Sequence, residues 1–184
     1  RHRADAGAPT GAVTAVQPAL FLDRDGVINV DHAYVHRVED FQFIDGIFDL
    51  VRHARGVNCR VFVVTNQAGI ARGYYTEDDF HRLSTWMCER FDAERAPIDK
   101  VYYCPYHAEH GIGRYKVDSP LRKPQPGMIL QAAAEFGVDL ARSVLVGDMD
   151  TDIQAGRAAG LAHSLLFRPH EAPAPGRIAR LADA

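Results

Sequence analysis

Five short, mostly apolar runs constrain this sequence more than any other feature. They are Ala19–Leu22, Val61–Val64, Val101–Tyr103, Val144–Val146 and His163–Phe167. Each is too brief for a helix and too continuously apolar for a strand with one wet face, so each reads as a strand covered on both sides. Between them the apolar residues recur at helical spacing. Residues 46–55 place Ile47, Leu50, Val51 and Ala54 on one face, with Gly56 as the stop. Thr76-Glu77-Asp78-Asp79 has the form of a capping box with Asp in place of Glu. It opens a helix that turns Phe80, Leu83, Met87 and Phe91 inward. Residues 127–136 and 151–159 are two further helices, ended by Gly137 and Gly160. This alternation predicts an α/β fold: a doubly wound, Rossmann-like parallel sheet between two helical layers.

In such a sheet, ligands bind beyond the C-terminal ends of the strands. Four polar segments fall there or on the loops that reach there. Asp23-Arg24-Asp25-Gly26 follows the first strand and Thr65-Asn66-Gln67 the second. Arg122-Lys123-Pro124 precedes a helix, and Gly147-Asp148-Met149-Asp150-Thr151-Asp152 follows a late strand and opens another. Taken singly, these are ordinary turn residues, helix-terminal acids and a surface lysine. Taken together, in this order and at these places, they suit one chemistry. Three carboxylates at one edge match a hard cation such as Mg²⁺. Lys123 and the Thr65 hydroxyl can hold phosphoryl oxygens. A helix beginning near Asp150 aims N–H groups at an anion.

At 184 residues the chain is sized for one domain. Its formal charge of −3 gives no basic face for nucleic acid, and no apolar run approaches the ~20 residues of a membrane span. Three cysteines are too few and too odd for a disulfide framework; they favour a reducing, cytoplasmic setting. Residues 1–18 lack the apolar stretch of a signal peptide and read as a flexible tail, residues 19–167 as the folded domain, and the proline-bearing 168–184 as a loosely packed tail. A monomer is expected. The 42 positions from Asp23 to Thr65 and the 58 from Thr65 to Lys123 leave no room for a separate cap domain. The site should therefore be open, rimmed by loops at 31–36 and 105–121. The segment 105–126, with four prolines and two glycines, must be a long loop, and such loops are often functional.

The segments "FLDRDGVIN", "VVTNQ", "RKPQPGM" and "VGDMDTD" resemble, in order, the four motifs of the haloacid dehalogenase (HAD) superfamily of aspartate-nucleophile phosphatases. "DRDGVINVDHAYVH", "FQFIDG", "VVTNQAGIARGYYT" and "YYCPYH" are similar to the D-glycero-D-manno-heptose-1,7-bisphosphate 7-phosphatases and the related histidinol-phosphatases, over about residues 19–167. The resemblance implies an Mg²⁺-dependent phosphomonoesterase acting on a small phosphorylated metabolite. Asp23 would be the nucleophile and Asp25 the general acid and base. The carboxylates of Asp23 and Asp148 and the main-chain carbonyl of Asp25 would hold the metal. Thr65 and Lys123 would stabilise the transferring group, and Asp152 would orient Lys123 or support the metal. Substrate contacts would come from Arg24, Asp31, His32, Ala33 and Tyr34 after the first motif, from Asn66, Gln67 and Ala68 after the second, and from Arg122 and Met149. The leading substrate is heptose 1,7-bisphosphate, cleaved at C7. Histidinol phosphate or another small sugar phosphate is the alternative, and a non-catalytic binding module is the rival of another class. Arg122 favours the anionic sugar, and a mere binder has no need of Asp23.

The family pattern is broken in places. Members often carry a structural zinc between a Cys-Pro-His-His and a Cys-x-Cys segment. Here those segments are Cys104-Pro105-Tyr106-His107 and Ser119-Pro120-Leu121. Three of the four ligand positions are Tyr106, Ser119 and Leu121, so zinc is not expected. Packing of Tyr106, Tyr115 and Leu121, with Pro120 and Pro124, is the expected source of order in the loop. Met149 stands where many relatives have Lys, and Ala33 and Ala68 where Gly and Ser are common.

Overall fold

In the computed structural model, which describes residues 16–184, six parallel strands form one sheet in the order β3-β2-β1-β4-β5-β6. They are β1 (Ala19–Leu22), β2 (Arg60–Asn66), β3 (Lys100–Cys104), β4 (Val144–Gly147), β5 (His163–Phe167) and β6 (Arg177–Ile178). The helices are α1 (Ile47–Gly56), α2 (Ala68–Ala71), α3 (Glu77–Ala93), α4 (Gly127–Phe136) and α5 (Asp150–Ala159). The tail expected at the N-terminus lies, up to residue 15, outside the described residues. Among those described, no helix is long and apolar enough to cross a membrane.

Strand alternation sorts the core into two layers. Leu20 and Leu22 of β1, Val61 and Val63 of β2 and Val146 of β4 pack with Leu50 and Val51 of α1 and Leu83, Met87 and Phe91 of α3. Phe21, Phe62, Val64 and Leu145 face the other way, against Met128, Ile129 and Ala132 of α4 and Ala155 of α5. The expected capping box is present. The Thr76 hydroxyl accepts from the Asp79 N–H, and the Asp79 carboxylate accepts from the Thr76 N–H. Gly137 and Gly160 end their helices in the left-handed conformation.

Three local expectations change. Gly56 is the last residue of α1 rather than its stop; the left-handed turn is made by Asn58, whose short polar side chain tolerates it. The short helix α2, directly after Gln67, carries no periodic signal at four residues. The C-terminal segment is not loose. β6 pairs with β5, and Leu166 and Arg168 donate to the carbonyls of Gly176 and Ile178. Ile178 and Leu181 are buried on the α1 side of the sheet. The prolines suggested a loose tail, but β5 has an open edge to satisfy and two apolar residues suffice to cover it.

The loop after β3 is ordered by the expected packing of Tyr106, Leu121 and Tyr115 on the core and also by polar contacts. Glu77, in the first turn of α3, accepts from the hydroxyls of Tyr103 (2.5 Å) and Tyr115 (2.6 Å), and Arg114 lies 3.6 Å away. The Ile112 N–H donates to the Ala71 carbonyl, and Arg122 donates to the Tyr106 carbonyl. The Tyr106 and Tyr115 rings lie 6.1 Å apart. The positions compared with a zinc site do not make a tetrahedral donor set. Cys104 is buried, Ser119 and Leu121 offer no thiolate, and His107 Nδ1 is turned to the N–H groups of Glu109 and His110.

The Tyr103 and Tyr115 hydroxyls hold the Glu77 carboxyl below its ordinary range. Its contribution to stability is therefore complete above the ordinary value near 4.5 and drains away as pH falls through the lowered value. Glu77→Ala should speed hydrogen exchange of the Ile112 amide by roughly tenfold at neutral pH, the partly exposed position discounting a charged hydrogen bond. The parent protein should show the same loosening only below about pH 4.5.

Candidate active site

The strand order reverses between β1 and β4, and the crevice at their C-terminal ends is where a doubly wound sheet binds ligands. Asp23 leaves β1 there, its N–H still donating to the Val146 carbonyl. Asp148 leaves β4 beside it. The two loops fit closely. Gly26 has φ +84°, and a Cβ on it would lie 2.1 Å from Asp148 Oδ2. A Cβ on Gly147 would lie 2.2 Å from that of Asp152. Carboxylate oxygens of Asp23, Asp148 and Asp152 come within 4.8 Å of one another. Arg168, from the C-terminal segment, donates to the Asp148 carbonyl.

Lys123 enters this cluster from the long loop. Its ammonium is 3.0 Å from Asp23 and 2.5 Å from Asp152, and donates to the Val64 carbonyl at 2.8 Å. Asp152 also caps α5 by accepting from the Met149 N–H. Burial works against the Lys123 charge, but Asp23 and Asp152 outweigh it and hold the ammonium protonated. One ammonium does not balance three carboxylates. Burial, then Asp152, pushes Asp148 up to about 6. Burial, opposed by Lys123 and reinforced by Asp152 and Asp148, raises Asp23 well above the usual range. An oxygen-lined site short of positive charge fits a hard divalent cation.

Asp25 faces a different environment. It accepts from the Arg24 guanidinium at 2.9 Å, from Asn29 Nδ2 at 3.0 Å and from Gln67 Nε2 at 3.2 Å. Arg24, expected to touch substrate, is 1% exposed and does not line the cavity. Its guanidinium is held by Asp25 and the Val35 carbonyl, with the Phe80 ring beside it. Neither His32, which is exposed, nor the buried Thr65 lines the cavity; the Thr65 hydroxyl accepts from Gln67 Nε2 at 2.8 Å.

The cavity has a volume of about 430 Å³. Asp23, Asp25, Lys123 and Asp148 meet in its lining. Asp31, Ala33 and Tyr34 line it from the first loop, Asn66, Gln67 and Ala68 from the second, with Arg122 and Met149 from opposite elements. Ala33 and Tyr34 are successive non-glycine residues in the left-handed region, with φ 60° and 55°. Asp31 accepts from the Ala33 N–H, His36 bonds the Tyr34 carbonyl, and the Tyr34 ring meets Tyr74 edge-on. Asn66 lines the cavity, yet its carboxamide clasps the Lys123 backbone, donating to the carbonyl and accepting from the N–H. Sequence reasoning missed Gly69, Tyr75 and Thr151 in the lining and Asn29 behind Asp25. Asn29 had one usable signal, a carboxamide amid the apolar Val27, Ile28 and Val30. His36, which reads as an ordinary surface histidine, stacks on Tyr75.

A family model described as HAD-hydrolase-like matches residues 120–169. The D-glycero-alpha-D-manno-heptose-1,7-bisphosphate 7-phosphatase of Burkholderia mallei is 58% identical over 90% of this chain and 86% of its own. The D-glycero-beta-D-manno-heptose-1,7-bisphosphate 7-phosphatase of Vibrio cholerae is 49% identical over 83% and 82%. The crystal structure of D,D-heptose 1,7-bisphosphate phosphatase from B. bronchiseptica, complexed with magnesium and phosphate, superposes with a TM-score of 0.72. It is 29% identical, covering 82% of this chain and 80% of that one.

With its pKa raised to about 6, Asp148 makes the metal-free fold less stable as pH rises from about 4 through 6, and the full penalty stands above that. Asp148→Asn should raise the melting temperature of the metal-free protein at pH 7.5 by roughly a few degrees. The same substitution should remove most of the stabilisation that a divalent cation gives the parent, as read by thermal shift with and without chelator.

Proposed function

The chain belongs to the heptose-1,7-bisphosphate 7-phosphatase family of the HAD superfamily, and from that premise we propose that it removes the C7 phosphate of D-glycero-D-manno-heptose 1,7-bisphosphate in an Mg²⁺-dependent reaction. The observation that carries the reading is the meeting of Asp23, Lys123 and Asp148 at the mouth of the β1–β4 crevice, with Asp25 beside them.

The Asp23 carboxylate attacks phosphorus and the bond to the C7 oxygen breaks, leaving an aspartyl phosphate. Asp25 gives its proton to the departing oxygen. It then takes a proton from the water that attacks the aspartyl phosphate, and Asp23 and inorganic phosphate are released. The Asp23 and Asp148 carboxylates and the Asp25 main-chain carbonyl would hold Mg²⁺, which supplies the positive charge that lets one anion approach another. Lys123 brings a fixed ammonium to the same end, held in place by Asp152. Thr65, buried just behind the lining with its hydroxyl bonded to Gln67, supports the phosphoryl group from the end of β2. Arg122, half-buried on the cavity wall, suits the second phosphate. Three unpaired cysteines agree with work in a reducing cytoplasm, and we read the enzyme as a monomer.

The relative at 58% identity is named for the α-anomer, whereas that at 49% is named for the β-anomer. We therefore assign the α-anomer as the preferred substrate. Phosphate release with Mg²⁺ should be measured on both anomers, histidinol phosphate and fructose 1,6-bisphosphate. The α-anomer should give a kcat/KM at least about tenfold above the β-anomer, a difference of ~1.4 kcal/mol. A β-anomer preference would overturn the anomer assignment, and equally slow turnover of all four would overturn the substrate. Asp23→Asn should reduce turnover to background while leaving the melting profile cooperative.

A further inference from the structure

Behind the reacting groups lies a carboxamide with nowhere to turn. Gln67 is buried, and one nitrogen, Nε2, donates both to Thr65 Oγ1 at 2.8 Å and to Asp25 Oδ2 at 3.2 Å. Its oxygen, Oε1, accepts from the Tyr75 hydroxyl at 2.5 Å. Whenever Asp25 is ionised it can only accept, so a flipped amide would then set its oxygen against that carboxylate. With the amide so oriented, the Tyr75 hydroxyl donates to Oε1 and holds it there. Burial raises the phenol well above its ordinary range, so the donor proton stays on.

Tyr75 is itself fixed from three sides. The residue after it, Thr76, is the N-cap of α3. His36 stacks on the phenol ring with centroids 5.0 Å apart and planes 6° apart. Gly69 lies beneath the ring, where a Cβ would come 2.1 Å from Tyr75 Cε1. The absence of a side chain at Gly69 is what lets the tyrosine reach Gln67.

We propose that Tyr75 is a positioning residue for the phosphoryl chemistry: its hydroxyl fixes the Gln67 carboxamide, which in turn holds Thr65 and Asp25 in place. Gln67 then serves the reacting groups rather than the sugar. The inference rests on the roles of Asp25 and Thr65 given above. Because Tyr75 acts through those two residues, its loss slows every phosphate ester, and most of all those whose leaving oxygen needs the Asp25 proton.

The test is steady-state kinetics of the Mg²⁺-loaded full chain on heptose bisphosphate and on p-nitrophenyl phosphate, for Tyr75→Phe, Gln67→Leu and the double variant. Tyr75→Phe keeps the ring and its packing. It should lower kcat about tenfold on heptose bisphosphate and at least about threefold on p-nitrophenyl phosphate, whose leaving oxygen needs no proton but whose aspartyl phosphate is still hydrolysed through Asp25, with KM within about twofold. The double variant should be no slower than Gln67→Leu alone, since both substitutions cut one chain of contacts. A Tyr75→Phe kcat within twofold of the parent, a change confined to KM, or losses that multiply in the double variant would each overturn the proposal. Should the parent hydrolyse p-nitrophenyl phosphate but not heptose bisphosphate, the substrate reading fails, while the aryl ester still tests Tyr75.

Discussion

The structure turns on a buried ammonium. Lys123 sits between Asp23 and Asp152 with a third bond to the Val64 carbonyl, and so joins β1, β2, α5 and the long loop at a single atom. Buried ion pairs add little net stability, but removing one partner strands the others at a cost of about 3–5 kcal/mol. That asymmetry is the useful property here. Once the loop has delivered Lys123, every alternative position leaves carboxylates exposed to one another at the sheet edge. Asn66 completes the arrangement by clasping the Lys123 backbone, so the second motif holds the third directly.

Because Lys123 comes from a loop rather than a strand, the order of that loop sets the geometry of the carboxylate cluster. In this chain one carboxylate gathers much of the polar part of that order. Glu77 gathers two tyrosine hydroxyls and an arginine at the start of α3. Its neighbours Thr76 and Tyr75 cap that helix and hold Gln67. Three consecutive residues therefore connect the rim loop, the helix start and the buried carboxamide. A disturbance of this turn reaches both the delivery of Lys123 and the setting of Asp25.

The fold was legible because the strands are short, apolar and punctuated, and because Asp23 and Asp148 each sit directly after a strand. β6 escaped notice because two residues cannot show a period. Individual side-chain directions were harder to read. Arg24 lies between Asp23 and Asp25, and a cation there reads naturally as a substrate contact. The turn after β1 instead sends it inward to Asp25. Gln67 and Asn66 follow a strand end, where polar side chains normally meet ligand, yet both carboxamides are taken up by other protein groups. Tyr75 could not be found from local pattern at all, since its partner is eight positions away and the contact depends on a glycine.

The left-handed pair at Ala33 and Tyr34 bears on how selective such an enzyme can be. Conformations of this kind cost about 1–2 kcal/mol per residue without a glycine, and the cost falls on the free protein, before any ligand arrives. The cavity wall they form is thus preorganised, and a ligand of matching shape binds without first ordering it. The same stiffness denies the wall any means of adapting to a sugar of different outline. Glycine at this position would remove that cost and at the same time leave the backbone more conformations to choose from before a ligand arrives.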